Sequence, residues 1–210
     1  MTNYKAVNIN TWPRKNSYLF FKDFDDPYFN FTVNLKVDGL IKLCKSEGSS
    51  FFLNMLHLSL KVANNIENFK MRYEDQQLVL FDRIDGGSTV LYDDESFGFA
   101  YYKYYPDRLK FIQEAAKEIE SRKKSKIFEP NMEGQKSNLI YFSSIPWFSF
   151  TSTKHAQHQS INKSIPRITT GKYFVQNGNT VLPFSIEANH AIMDGYHMGL
   201  FFQQFESESK

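Results

Sequence analysis

The sequence predicts an α/β domain of the α+β two-layer kind, and three observations lead there. Aromatic side chains make up 17% of the 210 residues, enough large rings to supply much of one core. Segments with a twofold apolar rhythm are interspersed with segments of helical rhythm. Strands and helices follow one another without a regular strand–helix–strand beat, which favours a mixed sheet over a doubly wound one. No repeat, low-complexity tract or linker divides the chain, so residues 1–210 read as a single domain.

Taken in order, Ser17–Asp23 forms a short aromatic helix. Tyr28–Asp38 alternates, with Phe29, Phe31, Val33 and Leu35 on one face of a half-buried strand. Gly39–Ser46 and, most clearly, Ser50–Ile66 have helical spacing, the latter through Phe51, Met55, Leu58 and Val62. Met71–Tyr73, Gln77–Asp82 and Thr89–Tyr92 read as short strands, with Gly86 and Gly87 in the loop before the last. Phe97–Tyr104 is a strand, followed by a helix from Pro106 into Arg122. The basic run Arg122–Lys126 closes that helix as a solvated end that opposes its dipole. Glu129–Gln135 is a loop; Ser137–Ser143 and the segment around Trp147 read as strand. Ile165–Gln176 and Thr180–Glu187 form a hairpin around Asn177–Asn179, since Asn-Gly between strands is a strong turn signal. Gly195–Phe205 is the last helix.

Charge and cysteine content narrow the function classes. A net charge of +2 gives no reason to invoke nucleic acid or an anionic membrane. The lone Cys44 forms no internal disulfide, which fits a reducing compartment. The N-terminus lacks a signal-peptide core, and no apolar run reaches spanning length. The expectation is a cytoplasmic protein.

Chemistry concentrates in EANHAIMDGYHMG, Glu187–Gly199. His190 ends a strand, where it can project into a cleft, and Asp194 and Gly195 open the next helix. A neutral imidazole suits general-base work near neutral pH. Asp194 can fix a basic partner or cap the helix. The pattern alone is short, and a structural histidine fits it equally well.

Three further stretches decide between these readings: NTWPRKNSYLFF with Trp12 and Arg14, SSIPWFSFTS with Trp147 and Ser152, and ITTGKYF with Thr169, Lys172 and Tyr173. Together with NHAIMDGYH, in this order and spacing, they resemble the chloramphenicol acetyltransferase family over almost the whole chain. The resemblance implies a mixed sheet with helices on one side, acetyl-CoA as co-substrate, no metal, and a homotrimer whose active sites lie between subunits. It implies direct acetyl transfer to a hydroxyl of a small molecule, most simply chloramphenicol, and hence antibiotic resistance. His190 would be the general base, Ser152 the oxyanion donor, and Thr169 an orderer of water near the transition state. Asp194 and Arg14 would shape the site as an ion pair, and Lys172 and Tyr173 would lie along the coenzyme.

The resemblance breaks in places. Asn189 stands where the family usually has a second histidine. Phe20, Phe21, Phe29 and Phe97 match aromatic pocket positions. Thr153, His155, Gln157 and Arg167 occupy places that are usually apolar, and Asp25 falls where an aliphatic contact is usual. Several polar side chains in one pocket suggest a more polar hydroxylated acceptor. His155 and His158, three apart on a strand, would face opposite ways and make no metal site. His57 reads as a core or surface histidine and His197 as a packing one. Two remoter readings stay open. One is the acyltransferase core of a 2-oxo acid dehydrogenase, which would carry lipoyl segments upstream of the TWPRK motif. The other is an inactive binding module, which would not need His190.

Overall fold

The computed structural model describes residues 3–128, 136–156 and 164–210. A seven-stranded mixed sheet runs through it. In chain order its strands are β2 (Tyr28–Lys36), β5 (Asp85–Leu91), β6 (Phe97–Tyr102), β7 (Leu139–Ser144), β8 (Arg167–Thr170), β9 (Phe174–Gln176) and β10 (Asn179–Asn189). Spatially the order is β2-β10-β8-β7-β5-β6, with β9 also on β10. The pairs β5–β7 and β7–β8 are parallel and the others antiparallel. A second sheet of three short strands sets β4 (Gln77–Phe81) between β1 (Tyr4–Ala6) and β3 (Met71–Glu74).

Among the described residues five α-helices accompany these sheets: α1 (Lys15–Phe21), α2 (Asp38–Glu47), α3 (Phe51–Asn65), α4 (Arg108–Ser125) and α5 (Gly195–Glu208). The apolar alternation of β2 is as the sequence predicts. Phe29, Phe31, Val33 and Leu35 pair with Ala188, Ile186, Phe184 and Leu182 of β10, so all eight share one face. On that face Phe184 meets Phe201 and Phe205 of α5, at 5.8 and 5.1 Å between ring centroids. Leu60 of α3 lies against Gly86, and Phe111 of α4 against Tyr102. Three helices therefore cover one face, and their buried rings and leucines form the core. The opposite face carries Tyr101, Gly87, Tyr141, Arg167, Glu187 and Asn30 in one row across the sheet, and Ser143, Thr169, Ser185 and Thr32 in the next.

Several elements differ from the sequence reading. Gly86 and Gly87 lie inside β5, not in a loop. A Cβ at Gly86 would stand 3.1 Å from Leu60, and one at Gly87 would stand 3.0 Å from Tyr101. Close packing on both faces, rather than a turn, calls for glycine here. The segment around Trp147 is not a strand. Among the described residues its backbone bonds are Ile145 N–H to Thr170 O and Lys172 N–H to Phe148 O, and Pro146 has no N–H to extend a ladder. The first hairpin arm splits into β8 and β9 around Gly171–Tyr173. The turn itself is as predicted, with positive φ at Asn177 (50°) and Gly178 (77°). The helix predicted from Pro106 starts at Arg108, capped by Asp107, and runs to Ser125. Within its basic end Arg122 pairs with Glu118 and Lys124 with Glu120. The loop read at Glu129–Gln135 lies outside the described residues. β1 and the 3-10 turn Glu67–Lys70 carry no periodic signal and were not predicted.

Arg72 ties the small sheet to the large one. It is fully buried and donates to the carbonyls of Phe69, Met71, Ser137 and Leu139. Burial pulls its pKa down to about 9, so it still carries its charge at neutral pH.

Candidate functional site

His190 follows the last residue of β10, and its N–H donates to Pro27 O. Its ring lies flat on Phe21, 4.1 Å between centroids and 9° between planes, and leans on Phe29 at 4.6 Å. Its buried Nδ1 has no hydrogen-bond partner among the described residues. Packing against Phe21 and Phe29 holds the ring orientation.

The turn beyond His190 is held from several sides. Asn189 Oδ1 accepts from Ala191 N–H at 2.8 Å, and its carbonyl accepts from Ile192 and Met193. This is the local bend that Asn favours, and it gives Asn189 a structural role. Asn68 Nδ2 donates to Ile192 O at 2.7 Å. Arg14 donates to His190 O at 3.2 Å and is ion-paired with Asp194; its guanidinium also stands 6.0 Å from the Trp12 ring. Asp194 caps α5 by accepting from Tyr196 N–H, while its own N–H donates to His197 Nδ1. Burial works to raise the Asp194 carboxyl, but Arg14 and His197 outweigh it and hold the group below the usual carboxylate value. Burial likewise keeps His197 below an ordinary histidine. His197 thus packs and caps, as expected. His57 is a core residue, bonded to Tyr105 O at 3.1 Å.

A second cluster lies on the face of the sheet opposite α3, α4 and α5. Thr169 is fully buried, and its Oγ1 lies 2.7 Å from His155 Nε2. Burial lowers the His155 pKa, favouring the neutral ring. One row away, Arg167 donates to Glu187 at 3.0 Å, both side chains largely buried, and stands 5.0 Å from the Tyr28 ring centre. Burial pushes Tyr28 up to about 12, against the pull of Arg167. Residues 152–156 carry neither strand nor helix, so the opposite-face argument for His155 and His158 does not apply. His158 and Gln157 lie outside the described residues.

The predicted site residues therefore fall into separate groups within one chain. Arg14, Phe21, Phe29, His190 and Asp194 come together. Thr169, His155 and Arg167 form the other group. Thr169 is level with Ser185, five residues before His190 on β10, which at strand rise is roughly 17 Å. Ser152 is exposed and Thr153 half-buried. Asp25 is exposed, and Phe20, also exposed, touches Phe21 and Phe24. Phe97 lies at the far edge of the sheet against Phe99 and Phe128. Tyr173 packs edge-on against Phe51, and with Lys45 and Ser49 it lines a cleft of about 240 Å³; Lys172 joins it in a smaller adjoining one. Asn68 and Lys45 were not among the residues the sequence singled out, while Asn189 was noted only as a departure from the family pattern and Phe51 only as part of a helical spacing. Of these, only Asn189 carried a local signal of its role at the site, that of a turn-forming Asn.

The sequence model of the chloramphenicol acetyltransferase family matches residues 2–206. The chain belongs to the chloramphenicol acetyltransferase family. As such it is an acetyltransferase enzyme. Among similar proteins, a chloramphenicol acetyltransferase of Escherichia coli is 27% identical over 98% of this chain and 94% of its own length. One of Clostridium perfringens is 27% identical over 96% and 92%. A solved chloramphenicol acetyltransferase superimposes with a TM-score of 0.91 at 28% identity, covering both chains fully. A probable dihydrolipoamide acetyltransferase from Listeria monocytogenes shares the fold, with a TM-score of 0.68 at 11% identity over 98% and 94% of the two chains. No helix among the described residues is long and apolar enough to cross a membrane.

Proposed function

We propose that this family member transfers the acetyl group of acetyl-CoA directly to a hydroxyl of chloramphenicol, with His190 as general base, and so confers resistance. The carrying observation is the His190 ring, clamped by Phe21 and Phe29 at the end of β10 above a turn pinned by Arg14. A neutral alcohol is a weak nucleophile. A ring nitrogen that removes its proton during attack on the thioester carbonyl accelerates the step by about a hundred- to ten-thousandfold. With both substrates held together no acyl-enzyme is needed. Ser152 donates to the oxyanion, worth about 3 kcal/mol, and Thr169 orders water beside it. Asp194 and Arg14 shape the site without moving protons. Lys172 meets a coenzyme phosphate, and Tyr173 offers a ring to the adenine.

The chain acts as a single cytoplasmic domain in a homotrimer. The roughly 17 Å that separates Thr169 from His190 in one chain supports an active site completed by the neighbouring copy. The His190 group would face the Thr169 group of the next subunit.

A second reading keeps the chemistry and changes the acceptor to a more polar hydroxylated molecule. The Arg167–Glu187 and His155–Thr169 pairs favour it, since an apolar acceptor would bury them without further partners.

The test is release of free coenzyme A from acetyl-CoA with chloramphenicol, run beside His190→Ala. Fast turnover that the variant loses supports the first reading. No chloramphenicol turnover, but His190-dependent hydrolysis of acetyl-CoA, supports the second. Equal rates in the two proteins would remove His190 from the mechanism.

A further inference from the structure

We propose that His155 is a positioning residue. Its bond to Thr169 anchors the segment carrying Ser152 onto the sheet and fixes the Thr169 hydroxyl. This rests on the acetyl-transfer reading, in which Ser152 and Thr169 serve the transition state.

Three observations carry the proposal. First, the two partners differ in how they are held. Thr169 is locked by ladders to β7 and β10 and is fully buried, whereas His155 sits in a stretch with no regular structure. The bond therefore joins a fixed point to a segment that no backbone ladder holds. Second, the bond is short and shielded, at 2.7 Å with His155 half-buried. The neighbouring tie in the same segment, Lys154 to Asp26, is an exposed pair at 3.7 Å and contributes little. Third, the chemistry of the pair is directional. Burial favours neutral His155, whose Nε2 is then either donor or acceptor. The Thr169 hydroxyl takes the complementary role, so its free rotor is settled. Of the charged pair in the adjacent row, Glu187 favours the protonated ring and Arg167 opposes it, both less strongly than burial.

Ser152 is three residues from this anchor. On its N-terminal side Ser152 is held by Phe150, whose ring packs on Gly171; without the His155 bond it loses the tether on its C-terminal side. A displaced oxyanion donor costs rate rather than coenzyme binding, and a misplacement of about 1 Å can cost about a hundredfold. A merely structural His155 would instead change stability and leave the rate alone.

The experiment is a double-mutant cycle on the full chain with His155→Leu, Thr169→Val and the double variant, with His155→Gln as the conservative replacement. Coenzyme A release is read with chloramphenicol and, separately, without acceptor. His155→Leu is expected to lower kcat by about tenfold to a hundredfold while KM for acetyl-CoA stays within about twofold. His155→Gln should recover part of the loss, and the double variant should be little worse than Thr169→Val alone. An unchanged kcat in His155→Leu, or single losses that multiply in the double variant, would overturn the proposal. Wild-type protein with no His190-dependent thioester cleavage would instead sink the acetyl-transfer reading. The ring spectrum then decides the anchor alone: long-range nitrogen–proton NMR of His155 should show one tautomer in the wild type, lost in Thr169→Val. The same spectrum in both proteins would show that the bond anchors nothing.

Discussion

The His190 imidazole lies flat against the Phe21 ring, 4.1 Å between centroids, so a ring from the N-terminal helix orients a histidine from the C-terminal hairpin. Such a stack is worth about 0.5–1.5 kcal/mol beyond its buried area. Phe21→Ala should therefore lower kcat by about two- to tenfold with an unchanged circular dichroism spectrum. Full activity in that variant would mean that Phe29 and the backbone suffice to orient the ring.

The ion pair behind that ring should behave as a unit. Arg14 is largely buried and Asp194 about one-third exposed, so solvent screens part of the attraction. Either Arg14→Ala or Asp194→Asn should cost about 1–3 kcal/mol in denaturant unfolding, and the double variant less than the sum. The Asp194 carboxyl is depressed in the folded chain. Its contribution is complete above the ordinary value of 3.8 and is lost as pH falls through the lower folded value. Strictly additive losses would show that the two side chains do not act together.

The buried histidines set a different acid limit. His57, His155 and His197 all sit below the ordinary value of 6.5, with burial the largest cause in each. As pH falls past that value the unfolded chain takes up protons that the folded chain refuses, so stability falls. The urea midpoint should drop between about pH 7.5 and about pH 5.5. A flat or rising midpoint would contradict the buried, neutral state of these rings.

At Gly98 on β6 a Cβ would stand 2.0 Å from the Tyr92 hydroxyl and 2.5 Å from the Ile127 carbonyl. Tyr92 donates to that same carbonyl. Gly98→Ala should therefore break this contact and cost about 1–3 kcal/mol, seen as a lower melting temperature. An unshifted melting curve would mean that the strand moves aside freely.

For the coenzyme, Tyr173→Ala and Lys172→Ala should raise KM for acetyl-CoA and leave kcat nearly unchanged, as expected for interactions made equally in ground and transition states. A fall in kcat with KM constant would move both residues out of the binding cleft.

Much of this molecule is local in origin. The alternation Phe29–Leu35, the helical spacing after Ser50 and the Asn-Gly turn each depend on neighbours within a few residues, so β2, α3 and the β9–β10 turn were legible. The grouping of His190, Asp194 and Arg14 was expected from their order along the chain, and the fold does bring them together. Other features depend on what arrives from elsewhere in the chain. Gly86 and Gly87 look like a loop until Leu60 and Tyr101 press on them from opposite faces. Trp147 looks like strand until Pro146 leaves it without a ladder. His155 looks like an unpartnered polar intruder until Thr169, 14 residues away, meets its ring. The division of the site into a His190 group and a Thr169 group is likewise a matter of register along β10. Sequence spacing determined which groups exist; only the pairing of strands decided which of them can touch.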